Sequence, residues 1–154
     1  MKLFTYPKLI RLTFSLFFLL TIHFASFSQA ANNTCGSSVL LTSAITCSPT
    51  TGDLQAATMD GPVSGTGCSH TTTNDVWYRF VAQSSTSTIT VAGLSNNTFL
   101  SYATTYVEIL SGTCGSFTPI VCQDISTSLT TTSLTVGQTY FVRVYVTGST
   151  TSGP

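Results

Sequence analysis

TYFVRVYV, residues 139–146, alternates without a break: Tyr140, Val142, Val144 and Val146 fall on one side, Phe141, Arg143 and Tyr145 on the other. A side-chain period of two belongs to an extended chain, so the stretch reads as a strand. Three more runs carry the same signature. In DVWYRFVA (75–82), Val76, Tyr78 and Phe80 oppose Trp77, Arg79 and Val81. In TYVEIL (105–110), Tyr106, Glu108 and Leu110 oppose Val107 and Ile109, and TITVAG (88–93) sets Ile89 with Val91. Shorter candidates are VLLTSAI (39–45), LQAATM (54–59), PIVCQ (119–123) and SLTTTSL (128–134). The face with both Trp77 and Arg79 is expected to be partly buried, because an arginine stem covers apolar surface while its head stays wet.

Turn-forming pairs and triplets separate these runs: Ser48-Pro49, Asp60-Gly61-Pro62, Ser95-Asn96-Asn97, Ser111-Gly112 and Val136-Gly137-Gln138. Helical periodicity is absent beyond the first thirty residues. Short strands joined by short links make an all-β chain, an antiparallel β-sandwich.

Residues 1–30 stand apart. Lys2, Lys8 and Arg11 precede an apolar run that ends at Ser28-Gln29-Ala30, the layout of a secretory signal peptide cleaved after Ala30. Residues 31–154 are then a single module of ordinary domain length. Its two arginines, Arg79 and Arg143, face five carboxylates, leaving a net charge of −3. Two isolated arginines cannot supply the basic footprint of a nucleic-acid binder or a polybasic membrane patch. Nucleic acid and membrane insertion are therefore excluded as partners of the module. Serine and threonine make up roughly a third of it, which keeps it wet without charge and suits pleated strands.

All five cysteines, Cys35, Cys47, Cys68, Cys114 and Cys122, follow residue 30, and export makes disulfides their expected state. In SGTCGSFTPIVCQD (111–124), Cys114 and Cys122 flank a turn between two strands, which predicts a bond between them. The partners of Cys35, Cys47 and Cys68 stay open.

Catalytic chemistry is thin. A cysteine nucleophile needs a cationic neighbour, and His70 is the only histidine after residue 30. There is no G-x-S-x-G elbow, and Cys68-x-His70 lacks a second pair of zinc ligands. Asp53 and Asp60 sit in turns and read as backbone caps, Asp75 as a cap where its strand begins, and Glu108 as a solvated strand residue. Asp124 is a calcium candidate, but one carboxylate does not make an oxygen cage, so no metal or cofactor is expected. Asn32-Asn33-Thr34 and Asn96-Asn97-Thr98 fit the glycosylation acceptor pattern. Exposed aromatic side chains are the natural ligand contacts of such a module, with Tyr102, Tyr106 and Tyr145 as candidates.

Three stretches, NDVWYRF (74–80), VEILSGTCGSFTPIVCQD (107–124) and LTVGQTYFVRVYV (134–146), together with NNTCGSSVLLT (32–42), resemble secreted bacterial β-sandwich modules related to the pre-peptidase C-terminal domain. The resemblance implies a jelly-roll or CUB-like sandwich without catalytic activity, secreted or held at the cell surface. It implies a binding or adhesion module at the N-terminus of a larger secreted protein, with an extracellular protein or carbohydrate as ligand. The alternative is an accessory domain of a secreted peptidase or glycosidase whose catalytic domain lies beyond residue 154. Two positions depart from the family pattern: Thr104-Thr105 stand where an Asp-Thr is common, and Ile125 where a second Asp is common. The family pattern also places one more strand after TYFVRVYV. On that basis one of Cys35, Cys47 or Cys68 is expected to pair with a cysteine in the absent strand, the other two with each other.

Overall fold

The computed structural model describes residues 28–60, 68, 72–92, 104–124 and 128–147. Residues 1–27, which hold most of the expected signal peptide, lie outside the described residues, as do His70, Tyr102, the Asn96 acceptor site and everything after residue 147. A single 3-10 turn, Cys35–Ser37, precedes seven strands: β1 (Val39–Leu40), β2 (Thr72–Val81), β3 (Ser87–Ile89), β4 (Thr104–Thr113), β5 (Ser116–Asp124), β6 (Leu129–Thr131) and β7 (Thr139–Thr147). They form two sheets, one ordered β1-β2-β7-β4-β5 and the other β3-β6. The chain is an all-β sandwich, and every pairing is antiparallel except β1 with β2.

The alternation read from the sequence fixes which side chains enter the space between the sheets. Val76, Tyr78 and Phe80 of β2, Val107 and Ile109 of β4, and Tyr140, Val142, Val144 and Val146 of β7 share one buried cluster with Leu129 and Leu134. Ile89 and Val91 pack on it from the smaller sheet. The outer side of that small sheet carries hydroxyls instead. Thr88 bonds Thr130 at 3.1 Å and Thr90 bonds Ser128 at 2.9 Å, all four exposed.

The other face of the large sheet is buried at its centre, more than expected for Trp77, while Arg79 is partly buried as expected. Trp77 is 1% exposed and Arg143 2%. On this face Cys35 packs against Trp77 and the Asp60 N–H bonds Asp75, while Ala30, Val39, Leu41, Leu54 and Ala57 of the same segment pack into the main core and the two long strands predicted there do not form. Only Val39–Leu40 of the first candidate pairs with β2, and Leu54 to Ala57 form a turn. Asn32 occupies the edge of β2: its carbonyl accepts the Trp77 N–H at 2.8 Å, and its side-chain amide donates to the Trp77 carbonyl at 3.1 Å. Cys35 then packs with Trp77, Leu110, Phe117 and Phe141 in a second small core.

Edges of the large sheet are blunted. β1 is two residues long, and β5 carries Pro119 and an irregularity in its pairing opposite Ile109/Leu110. Short edge strands, proline and bulges all discourage pairing with another chain.

β4 and β5 join through a two-residue turn, Cys114-Gly115, with Thr113 opposite Ser116. Gly115 has φ 85° and Gly112, one position before Thr113, has φ 106°, conformations that cost a side-chain-bearing residue roughly 1–2 kcal/mol. A Cβ on Gly112 would also collide with the carbonyl oxygen of Ser116, whereas one on Gly115 would meet open space. Gly112→Ala should therefore cost about 2–3 kcal/mol and Gly115→Ala about 1 kcal/mol. Urea unfolding checks this as a larger fall in midpoint for the first variant at unchanged slope.

Candidate functional site

Two register rows cross the Trp77 face of the large sheet. Trp77, Arg143, Glu108 and Cys122 lie side by side on β2, β7, β4 and β5. In the next row stand Asp75, Tyr145, Tyr106 and Asp124. These rows hold four of the seven charged residues that follow residue 30, and all of them but Asp124 are buried.

Arg143 directs both Nε, at 2.7 Å, and a terminal nitrogen, at 2.6 Å, to the Oδ2 atom of Asp75. Its guanidinium also lies 5.4 Å from the Trp77 ring centroid and 4.9 Å from that of Tyr145. The second oxygen of Asp75 accepts the N–H of Asp60 at 3.0 Å. The Asp60 carboxylate in turn accepts the N–H of Cys35 at 2.6 Å. Asp75 is thus the centre of a buried network, not a cap at the start of its strand, and Asp60 holds a residue 25 positions away rather than its own turn. Asp53 does cap its own turn, accepting from Gln55 and Ala56.

Glu108 is also corrected. It is 3% exposed, not solvated. Burial pushes its carboxyl above the usual range against the pull of Arg143. Burial likewise raises Asp75, with Arg143 opposing. Tyr145 is pushed up to about 12, by burial first and then by the neighbouring Glu108 charge.

Of the tyrosines proposed as ligand contacts, Tyr145 is 1% exposed and cannot touch a ligand in the folded module. Its hydroxyl donates to the Cys68 carbonyl at 3.2 Å, and its ring stacks on Tyr106 with centroids 5.6 Å apart. Tyr106 is half-buried and Asp124, directly opposite it on β5, is exposed. With the partly buried Cys122, these are the members of the rows that reach the surface. Among the described residues no group of three or more His, Cys, Asp or Glu could hold a metal ion. Asn32, the acceptor of the first glycosylation pattern, is 4% exposed with its amide bonded to Trp77.

The disulfides differ from the sequence expectation. Cys114 bonds Cys35 and Cys122 bonds Cys68, each with Cα atoms 5.7 Å apart, and Cys47 is free and exposed. Cys114 and Cys122 cannot meet because the turn is only two residues long. β5 runs directly away from Cys114, and Cys122 sits opposite Glu108, roughly 20 Å down the hairpin at about 3.3 Å per residue. The expectation that two of Cys35, Cys47 and Cys68 bond each other is corrected too, since Cys35 and Cys68 each bond a hairpin cysteine. What the sequence concealed was the fold-back of residues 28–60, and no local periodicity signals it. The Cys35 bridge staples the N-terminal segment to the tip of the β4–β5 hairpin, and the Cys68 bridge ties the chain before β2 to the hairpin near its far end. Closing loops with sequence separations of 79 and 54 contributes about 4 kcal/mol each on the chain-entropy account.

Two outcomes follow from this arrangement. Native protein treated with a thiol-alkylating reagent should be labelled at Cys47 alone, and peptide mapping should recover the Cys35–Cys114 and Cys68–Cys122 pairs. Because Glu108 is raised in the folded state, its stabilising protonated form is fully present below the unfolded carboxyl range and is lost as pH rises through the folded value. Thermal unfolding should fall in midpoint as pH rises from 4 towards neutrality, and Glu108→Gln should flatten that dependence and melt higher than the parent at pH 7.

No curated protein and no solved structure matches the chain significantly. A family profile described as galactose binding domain-like, associated with T9SS, matches residues 31–153. The chain belongs to this T9SS-associated, galactose binding domain-like family, whose fold is that of a non-catalytic binding module of secreted proteins.

Proposed function

We propose that residues 31–154 act as an extracellular attachment module, exported by residues 1–30 as a cleaved signal peptide, that binds carbohydrate or protein through the rim of the large sheet at Tyr106 and Asp124. The observation that carries this reading is the disposition of the polar groups. Arg143, Asp75, Asp60 and Tyr145 are bonded to one another or to the backbone, which leaves them no part in turnover. Four cysteines are committed to disulfides, consistent with life outside the cell. A half-buried tyrosine beside an exposed carboxylate offers a flat apolar ring and a hydrogen-bond acceptor, the two features a sugar or a peptide side chain uses. Family membership supports a binding role and a secreted setting.

A second reading, an accessory domain beside a secreted hydrolase, draws on the same non-catalytic character. It differs only in what the bound ligand is delivered to.

The test uses oxidised protein of residues 31–154 on an array of neutral and acidic glycans and on surface proteins. The expected result is binding to at least one ligand, weakened tenfold or more by Tyr106→Ala and by Asp124→Asn, and no turnover of any glycan or peptide. Absence of binding by folded protein, or binding untouched by both substitutions, would overturn the assignment of this rim.

A further inference from the structure

We propose that the module is built to persist beside Lys/Arg-specific endopeptidases, because it withholds every bond those enzymes recognise. After Arg11 the chain contains no lysine or arginine except Arg79 and Arg143. Both lie inside central strands of the large sheet.

Arg143 sits on β7, hydrogen-bonded to β2 on one side and β4 on the other. Its side chain is 2% exposed and locked onto Asp75. Arg79 sits on β2 between β1 and β7, and its guanidinium donates to the Ser38 carbonyl and hydroxyl. A protease of this specificity needs the arginine head in its own pocket and several flanking residues in extended, unpaired form. Reaching Arg143 therefore requires stripping β7 from two neighbours and breaking a buried ion pair. Reaching Arg79 requires separating β2 from β7. Cleavage at either point runs through an opening close to global unfolding, whose population is small. The two disulfides lower it further by stapling the N-terminal segment and the chain before β2 to the hairpin.

The segment 42–53 shows that the protection comes from sequence as much as from fold. Each of its residues is exposed, and none belongs to a helix or strand. Such a segment is where proteases nick. Here it reads TSAITCSPTTGD, with hydroxyls and a proline in place of lysine and arginine. The same holds for the whole module, whose solubility rests on serine and threonine, so no exposed basic residue is needed to keep it in solution. The partner chemistry this suits is a secreted peptidase of Lys/Arg specificity, in the same milieu or in the same polypeptide. The inference leans on the exported setting proposed above, and its test is separate from ligand binding.

The experiment is a trypsin time course on oxidised protein of residues 31–154, read by intact mass. Native protein should stay whole while reduced, alkylated protein in urea is cut after Arg79 and Arg143 into 31–79, 80–143 and 144–154. A Thr50→Lys variant, checked by circular dichroism to be folded as the parent, should be cut once, after residue 50, at least a hundredfold faster than the parent is cut anywhere. Cleavage of the native parent at Arg79 or Arg143 within about tenfold of the unfolded rate would overturn the protection ascribed to the strands. A folded Thr50→Lys variant that resists trypsin would overturn the role given to the missing lysines.

Discussion

The ion pair of Arg143 with Asp75 is the constraint on which the rest of the module depends. Both groups are nearly inaccessible, at 2% and 0% exposure of their side chains. Taking two charges out of water costs several kcal/mol per ion, and the attraction between them offsets this only if the remaining donors and acceptors are also engaged. Here they are. Two arginine nitrogens go to one carboxylate oxygen, a backbone N–H goes to the other, and aromatic rings flank the guanidinium. Such a pair is a weak source of net stability but a strong source of specificity. If the N-terminal segment were misplaced, a buried charge would be stranded at about 3–5 kcal/mol.

That requirement shapes what surrounds the pair. A strand residue facing away from the sandwich core would ordinarily meet water. Arg143 does not, because Asp60 and Cys35 of the N-terminal segment, together with Cys68, bear on its side of the sheet. The apolar residues of that segment, Leu54 and Ala57 among them, go to the main core instead. On the side of Arg143 the segment is held by Asn32 bonded to both backbone groups of Trp77, by Asp60 bridging Asp75 to Cys35, and by the bridge from Cys35 to the tip of the β4–β5 hairpin. The staples and the polar relay run through the same residues: Cys35 receives the Asp60 hydrogen bond and also carries the bridge to Cys114. Glu108 is buried beside the same guanidinium, and burial disfavours its charged form against the pull of Arg143.

How far the sequence showed this differs from element to element. β2, β4 and β7 were legible because their alternation is strict, and the sandwich core follows from it directly. The N-terminal segment was not. Its residues have no period, and Leu54 to Ala57, which looked like part of a strand, turn instead. Once that segment's path was missed, residues beside it were misjudged in the same direction. Trp77 looked half wet, Glu108 solvated and Asp75 a local cap. The cysteine pairing failed for the same reason, since Cys35 and Cys68 lie in segments whose path over the sheet only tertiary structure reveals. Residues 114 and 122 looked like neighbours in sequence, but a two-residue turn sends them apart along the hairpin.

Tyr145 and Tyr106 show why a strand aromatic carries so little functional information by itself. They are cross-strand partners on one face, stacked ring to ring, and nothing in their local sequence separates them. Position relative to the ion pair does. Tyr145 lies next to the guanidinium and under Cys68, so its ring and hydroxyl both work inside the protein. Tyr106 is one strand farther from the ion pair, where burial falls off and Asp124 reaches solvent. The gradient from buried charge pair to exposed rim thus sorts chemically similar residues into structural and accessible ones.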